Sequence, residues 1–123
     1  MANELILVVD DSQTDFLYVK KILQGGGYRV EHADSGAVAI ERAAELNPVC
    51  IVMDVVMPVM NGFQATRALS RNPDTAHIPI IMLSSKDQAF DKVWAERQGA
   101  TDYVVKPADA KELLTKIMAV AGV

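Results

Sequence analysis

Asp10-Asp11, Asp54, Ser84-Ser85 and Lys106 each follow directly on an apolar run, at residues 4–9, 50–53, 78–83 and 103–105. If those runs end at one place, three carboxylates meet a hydroxyl and an ammonium. Carboxylates at close range repel one another unless a cation sits among them, and hard oxygen donors without His or Cys select Mg²⁺ over zinc. Mg²⁺ keeps several waters and takes one or two carboxylates plus a phosphate oxygen. Lys106 and Ser84 would then hold the remaining oxygens of a phosphoryl group. Asp54, between metal and lysine, is placed as an in-line nucleophile toward phosphorus.

The elements that must position these groups follow from hydrophobic periodicity. Residues 4–9, apolar throughout after Glu4, and 50–53 read as strands buried on both faces, the second carrying Asp54 at its end. Residues 28–32 alternate, as a strand nearer an edge does, and 78–83 and 103–105 complete five strands. Helices are expected between them. Ser12 or Asp11 opens the first, with Phe16, Val19, Lys20 and Leu23 at helical spacing and Gly25-Gly26-Gly27 at its stop. Asp34-Ser35-Gly36 opens the second, with Ala37, Ile40, Ala43, Ala44 and Leu46 along one face and Asn47-Pro48 closing it. Asn61-Gly62 reads as a turn with positive φ before a helix over 63–70. A fourth helix covers 86–98, and Asp109 caps a fifth whose buried stripe is Leu113, Leu114, Ile117, Met118 and Val120.

Five strands alternating with five helices predict a parallel sheet covered on both faces, an α/β fold. Right-handed crossovers put every strand-to-helix loop on one edge, where ligands bind in open α/β sheets. That edge receives Asp10, Asp11, Asp34, Asp54, Ser84, Ser85 and Lys106, while the opposite edge receives only turn residues. The asymmetry makes a shared site the sequence's main prediction.

A chain of 123 residues fits one domain, residues 1–123, with a radius of gyration of about 14 Å. Net charge −4, without a Lys/Arg cluster, argues against nucleic-acid binding. No apolar run approaches the roughly 20 residues of a membrane span, and Met1-Ala2-Asn3-Glu4 is unlike a signal peptide, so the cytoplasm is expected. Cys50, alone in an apolar run, reads as a small buried hydrophobe, and the six methionines as gap-filling core. Gly25 to Gly27 follow a helix rather than a strand, which argues against a phosphate loop. His32 and His77 are placed away from the acidic edge and read as plain polar residues. Phe90 and Trp94, four apart on one helix, fit either core or a partner patch, with Val93 and Ala89 as candidates for the sheet-facing positions.

Val9-Asp10-Asp11-Ser12, Met53-Asp54-Val55-Val56-Met57-Pro58 with Asn61-Gly62, Leu83-Ser84-Ser85-Lys86 and Tyr103-Val104-Val105-Lys106-Pro107 together resemble the receiver domain of two-component response regulators, of the CheY type, over essentially the whole chain. Residues 61–67, 86–88, 91–94 and 97–100 are most similar to the single-domain receivers of twitching-motility chemosensory systems. The resemblance implies a (βα)5 doubly wound, flavodoxin-like sheet in strand order 2-1-3-4-5. It implies that Asp54 accepts a phosphoryl group from a phosphohistidine on a histidine kinase or histidine phosphotransfer domain. It also implies that Asp11, Asp54 and the Val56 carbonyl ligate Mg²⁺, with Asp10 acting through water, and that Ser84 and Tyr103 form a switch pair. Phe90, Trp94 and Tyr103 would then border a surface for a downstream motility protein, on a chain expected to be monomeric. Val56 and Lys86 occupy positions that tune water attack on the phosphoryl group. An aspartyl phosphatase is the rival reading, but it requires an acid two residues past the nucleophile, where this chain has Val56.

Overall fold

The computed structural model describes residues 4–85 and 89–121, the side chains of residues 89 and 90 excepted. Strands β1 (Leu5–Val9), β2 (Arg29–Ala33), β3 (Cys50–Asp54), β4 (Ile80–Ser84) and β5 (Asp102–Val105) alternate with helices α1 (Gln13–Gly25), α2 (Gly36–Leu46), α3 (Gly62–Arg71), α4 (Ala89–Gln98) and α5 (Ala110–Ala121). The strands are parallel, as the alternation of elements predicts, and ordered β2-β1-β3-β4-β5, as the resemblance implies. Among the described residues no helix is long and apolar enough to cross a membrane. Lys86 and the predicted first turn of α4 lie outside the described residues.

Alternation along the strands sends Leu7, Ile51, Met53 and Met82 to one face, under α2 and α3, and Ile6, Val8, Val52, Ile81 and Leu83 to the other, under α1 and α5. Both faces are buried, which is why β3 and β4 contain no exposed position and need no polar alternation. Burial in α2 departs from the expected stripe: Ala39 and Ala43 face the sheet, while Ala37 and Ala44 are exposed. In α5 the buried residues are Leu113 and Ile117, four apart, and Met118 is exposed, so the methionine stripe is one residue too wide. In α4, Ala95 rather than Val93 meets the core.

Local chemistry sets the element ends. Ser12, Ser35 and Asp109 cap α1, α2 and α5 by accepting from the backbone N–H three residues on. Asn61 and Gln64 form a reciprocal capping box at α3. Asn61-Gly62 is therefore a helix start and not the positive-φ turn expected. Gly62 is required for another reason: a Cβ there would collide with the Asp54 carbonyl, and its N–H donates to the Val55 oxygen at 2.8 Å. The left-handed residue of this loop is Val59, at φ 69° and fully exposed.

Candidate functional site

β3 ends on Asp54 and β4 on Ser84, while Asp10 and Lys106 are the first residues beyond β1 and β5. Parallel register brings these ends side by side, with Val9 opposite Met53, Asp54 opposite Leu83 and Ser84 opposite Val105. A cavity of about 310 Å³ at this edge is lined by Asp10, Asp11, Asp54, Val56, Ser84 and Lys106, together with Ser12, Asp15 and Ser85. The residues read as one site from the sequence thus border one space. Asp34 is exposed and lies outside that lining.

Asp10, Asp11 and Asp54 each offer a carboxylate oxygen, and the three oxygens lie within 4.8 Å of one another. Asp10 and Asp54 are buried and Asp11 is exposed, so the cluster opens to solvent on one side. The Lys106 ammonium stands 3.0 Å from Asp54 Oδ1, 3.4 Å from Asp10 Oδ2 and 2.9 Å from Asp15 Oδ2. Burial raises the Asp54 carboxyl to about 6, opposed by the hydrogen bond from Lys106 and reinforced by Asp10 and Asp11. Burial alone would lower the Lys106 ammonium, but its hydrogen bonds to Asp15 and Asp54 hold it well above the usual lysine range. One lysine leaves three carboxylates incompletely neutralised. The donor set contains only carboxylates, without His or Cys, and it fits a small hard dication open to water.

Asp15 was not singled out by sequence reading. It sits in the first turn of α1, where its backbone N–H is engaged by the Ser12 cap, and the signal available was its position one turn past the acidic pair. His32 corrects a second expectation. It pairs with Val8 near the carboxyl end of β2, stacks on Phe16 with ring centroids 3.8 Å apart, and places Nε2 2.8 Å from the Asp10 carbonyl. A carbonyl only accepts, so Nε2 donates and His32 steadies the Asp10 backbone. His77 lies apart, on Asn47 Oδ1.

Ser84 is buried and its carbonyl accepts from the Lys106 N–H at 2.8 Å, tying β4 to β5 at the site. Tyr103 is 7% exposed, its ring within the core cluster, so it presents little surface in this conformation. Trp94 is 40% exposed. The Phe90 side chain lies outside the described residues. Cys50 is buried, and burial pushes its thiol up to about 12, in keeping with an inert small hydrophobe.

The model of the response regulator receiver domain matches residues 6–118. The chain belongs to that family. It is 45% identical over 115 residues to protein PilH of Pseudomonas aeruginosa, covering 94% of this chain and 95% of PilH. The likeness read from the segments around α3 and α4 is to that protein. Several other curated relatives are longer, and the chain spans about half their length. Among solved structures, the chemotaxis protein CheY4 of Vibrio cholerae superimposes with a TM-score of 0.88 at 34% identity, covering 95% of this chain and 98% of that one. The receiver domain of the sensor histidine kinase PA1611 of Pseudomonas aeruginosa, with a magnesium ion coordinated in its active-site cleft, gives 0.90 at 28% identity, covering 98% and 99%. The receiver is a response-regulator module of two-component signalling, a family whose phosphodonor is a histidine kinase.

Proposed function

We propose that this receiver accepts a phosphoryl group on Asp54 from a partner histidine kinase or histidine phosphotransfer domain. The observation that carries the proposal is the meeting of Asp10, Asp11 and Asp54 within 4.8 Å beside an ammonium 3.0 Å from Asp54. An Asp54 oxygen attacks phosphorus as the N–P bond of the phosphohistidine breaks, leaving the electron pair on the imidazole and an acyl phosphate on Asp54. Asp11, Asp54 and the Val56 carbonyl would hold Mg²⁺, with Asp10 acting through water. When bound, the ion neutralises charge shared between the carboxylates and the phosphoryl oxygens. Lys106 moves its contact from the Asp54 carboxylate to a phosphoryl oxygen. Ser84 takes another, and Tyr103 answers its movement as the second member of the switch pair.

Val56 lines the cavity without a titratable side chain, so no acid stands two residues past the acceptor to protonate a leaving group. That favours a switch over a phosphatase turning over small esters. We further propose that residues 1–123 work as one cytoplasmic, monomeric receiver unit that signals through protein contacts. A downstream motility protein would meet the face bordered by Phe90, Trp94 and Tyr103. Type IV pilus twitching motility is the favoured pathway, on 45% identity to PilH. Flagellar chemotaxis is the alternative, on the likeness to the chemotaxis protein CheY4, and service as a phosphate sink is another. Phosphotransfer from a radiolabelled kinase, with and without chelator, followed by pull-down against pilus and flagellar components, tests the reading. Label transfer that survives chelation or the Asp54→Asn substitution would contradict it.

A further inference from the structure

The sheet edge away from the acidic site was expected to hold turn chemistry only, yet it carries a second cavity, of about 390 Å³, between the C-terminal ends of α3 and α4. Arg67 and Arg71 of α3 and Arg97 of α4 line it, together with the Ser70 and Trp94 side chains. No acid lines it. All three arginines are exposed, and among the described residues none forms an ion pair. In a chain of net charge −4, that is a local concentration of uncompensated cations. Helix ends account for part of it, because Arg71 and Arg97 stand in last turns where the carbonyl end of the macrodipole favours a cation. Arg67 lies one turn earlier, beyond the reach of that effect, and α3 carries no acid to pair with it.

Gly99 also lines the cavity. It adopts φ 111°, and a Cβ there would collide with the Ser70 side chain, so only glycine lets α3 and the end of α4 approach this closely. Guanidinium forks match phosphate oxygens in pairs, and an exposed indole offers a flat face to an aromatic ring. The volume falls within the range of small-ligand sites and suits a single compact molecule.

We propose that this cavity binds a nucleotide, its phosphates on Arg67, Arg71 and Arg97 and its base on Trp94. The site is separate from the acceptor at the other end of the sheet and does not depend on phosphorylation there. Trp94 is the chain's sole tryptophan, so its fluorescence reports occupancy directly.

The test is titration of the full chain with ATP in EDTA, which removes any bridging metal. Saturable quenching with a Kd below about 1 mM is expected. Pyrophosphate, which has the charge without the ring, and adenosine, which has the ring without the charge, should each bind at least about tenfold more weakly. Arg67→Ala with Arg97→Ala should weaken ATP by a similar factor or more while circular dichroism stays unchanged, since both side chains are exposed. Trp94→Leu, followed by calorimetry, should weaken ATP but not pyrophosphate. Four results would each overturn the proposal: no saturation by about 10 mM ATP, quenching that survives loss of the arginines, pyrophosphate binding as well as ATP, or tighter binding of a polyglutamate peptide.

Discussion

Asp54 is the residue whose environment is most at odds with its charge. Its folded carboxyl holds a proton up to about pH 6, whereas the unfolded chain releases it near 3.8. The folded state therefore binds the proton more tightly, and stability from this group is lost as pH rises through that window. Without divalent cation, Asp54→Asn should be more stable than the parent at pH 7 by roughly 1–3 kcal/mol, with the gain gone at pH 4. Thermal melts in EDTA at the two pH values measure this, and an equal difference at both would contradict the assignment. Asp15 draws Lys106 toward α1 and adds negative charge beside the cavity. Asp15→Asn should leave stability within about 1 kcal/mol, because the Asp15 carboxylate is half-exposed and Lys106 keeps its contacts with Asp54 and Asp10. It should also speed labelling by acetyl phosphate a few-fold, and a slower rate would mean that Asp15 holds Lys106 productively. The main site residues were legible in the sequence because each ends an apolar run. Asp15 and His32 were not, because their approach to Lys106 and Asp10 depends on the turn of α1 and the register of β2.

Among the elements, helix and strand identities were legible and the facing of helices less so. Small residues explain the misses: alanines at 37, 39, 43 and 44 give periodicity little contrast, so crossing geometry decides which of them are buried. The exposed Met118 beside the buried Ile117 shows the same limit in α5. The loop from β3 to α3 was misread because Asn-Gly suggests a turn, while here Asn61 caps a helix and Val59 takes the left-handed conformation. A β-branched residue at positive φ is strained by about 1–3 kcal/mol. Its side chain is fully exposed, so Val59→Gly removes strain without loss of packing; set against the extra freedom glycine gives the unfolded chain, the net should be a stabilisation of up to about 1 kcal/mol in denaturant melts.

For the whole molecule, carboxylates gather with Lys106 around Asp54 at one end of the sheet, and guanidinium groups gather around Trp94 at the other. Crossover handedness made the first legible, since it puts every strand-to-helix loop of a parallel sheet on one edge. The second was not, because Arg67, Arg71 and Arg97 come from two helices and meet only through the α3–α4 packing at Gly99. The acidic end should couple ion binding to folding. At a hundredfold excess over Kd, Mg²⁺ should raise stability by about 2.7 kcal/mol. Asp11→Asn should abolish most of that rise, as read from melting temperature with and without Mg²⁺. The most direct test of the central claim is mass spectrometry after incubation with acetyl phosphate and Mg²⁺, on intact protein and on peptides. The account predicts a gain of one phosphoryl group, located on Asp54 and lost on chelation or in Asp54→Asn. No gain in the parent chain, or a label located on another residue, would contradict it.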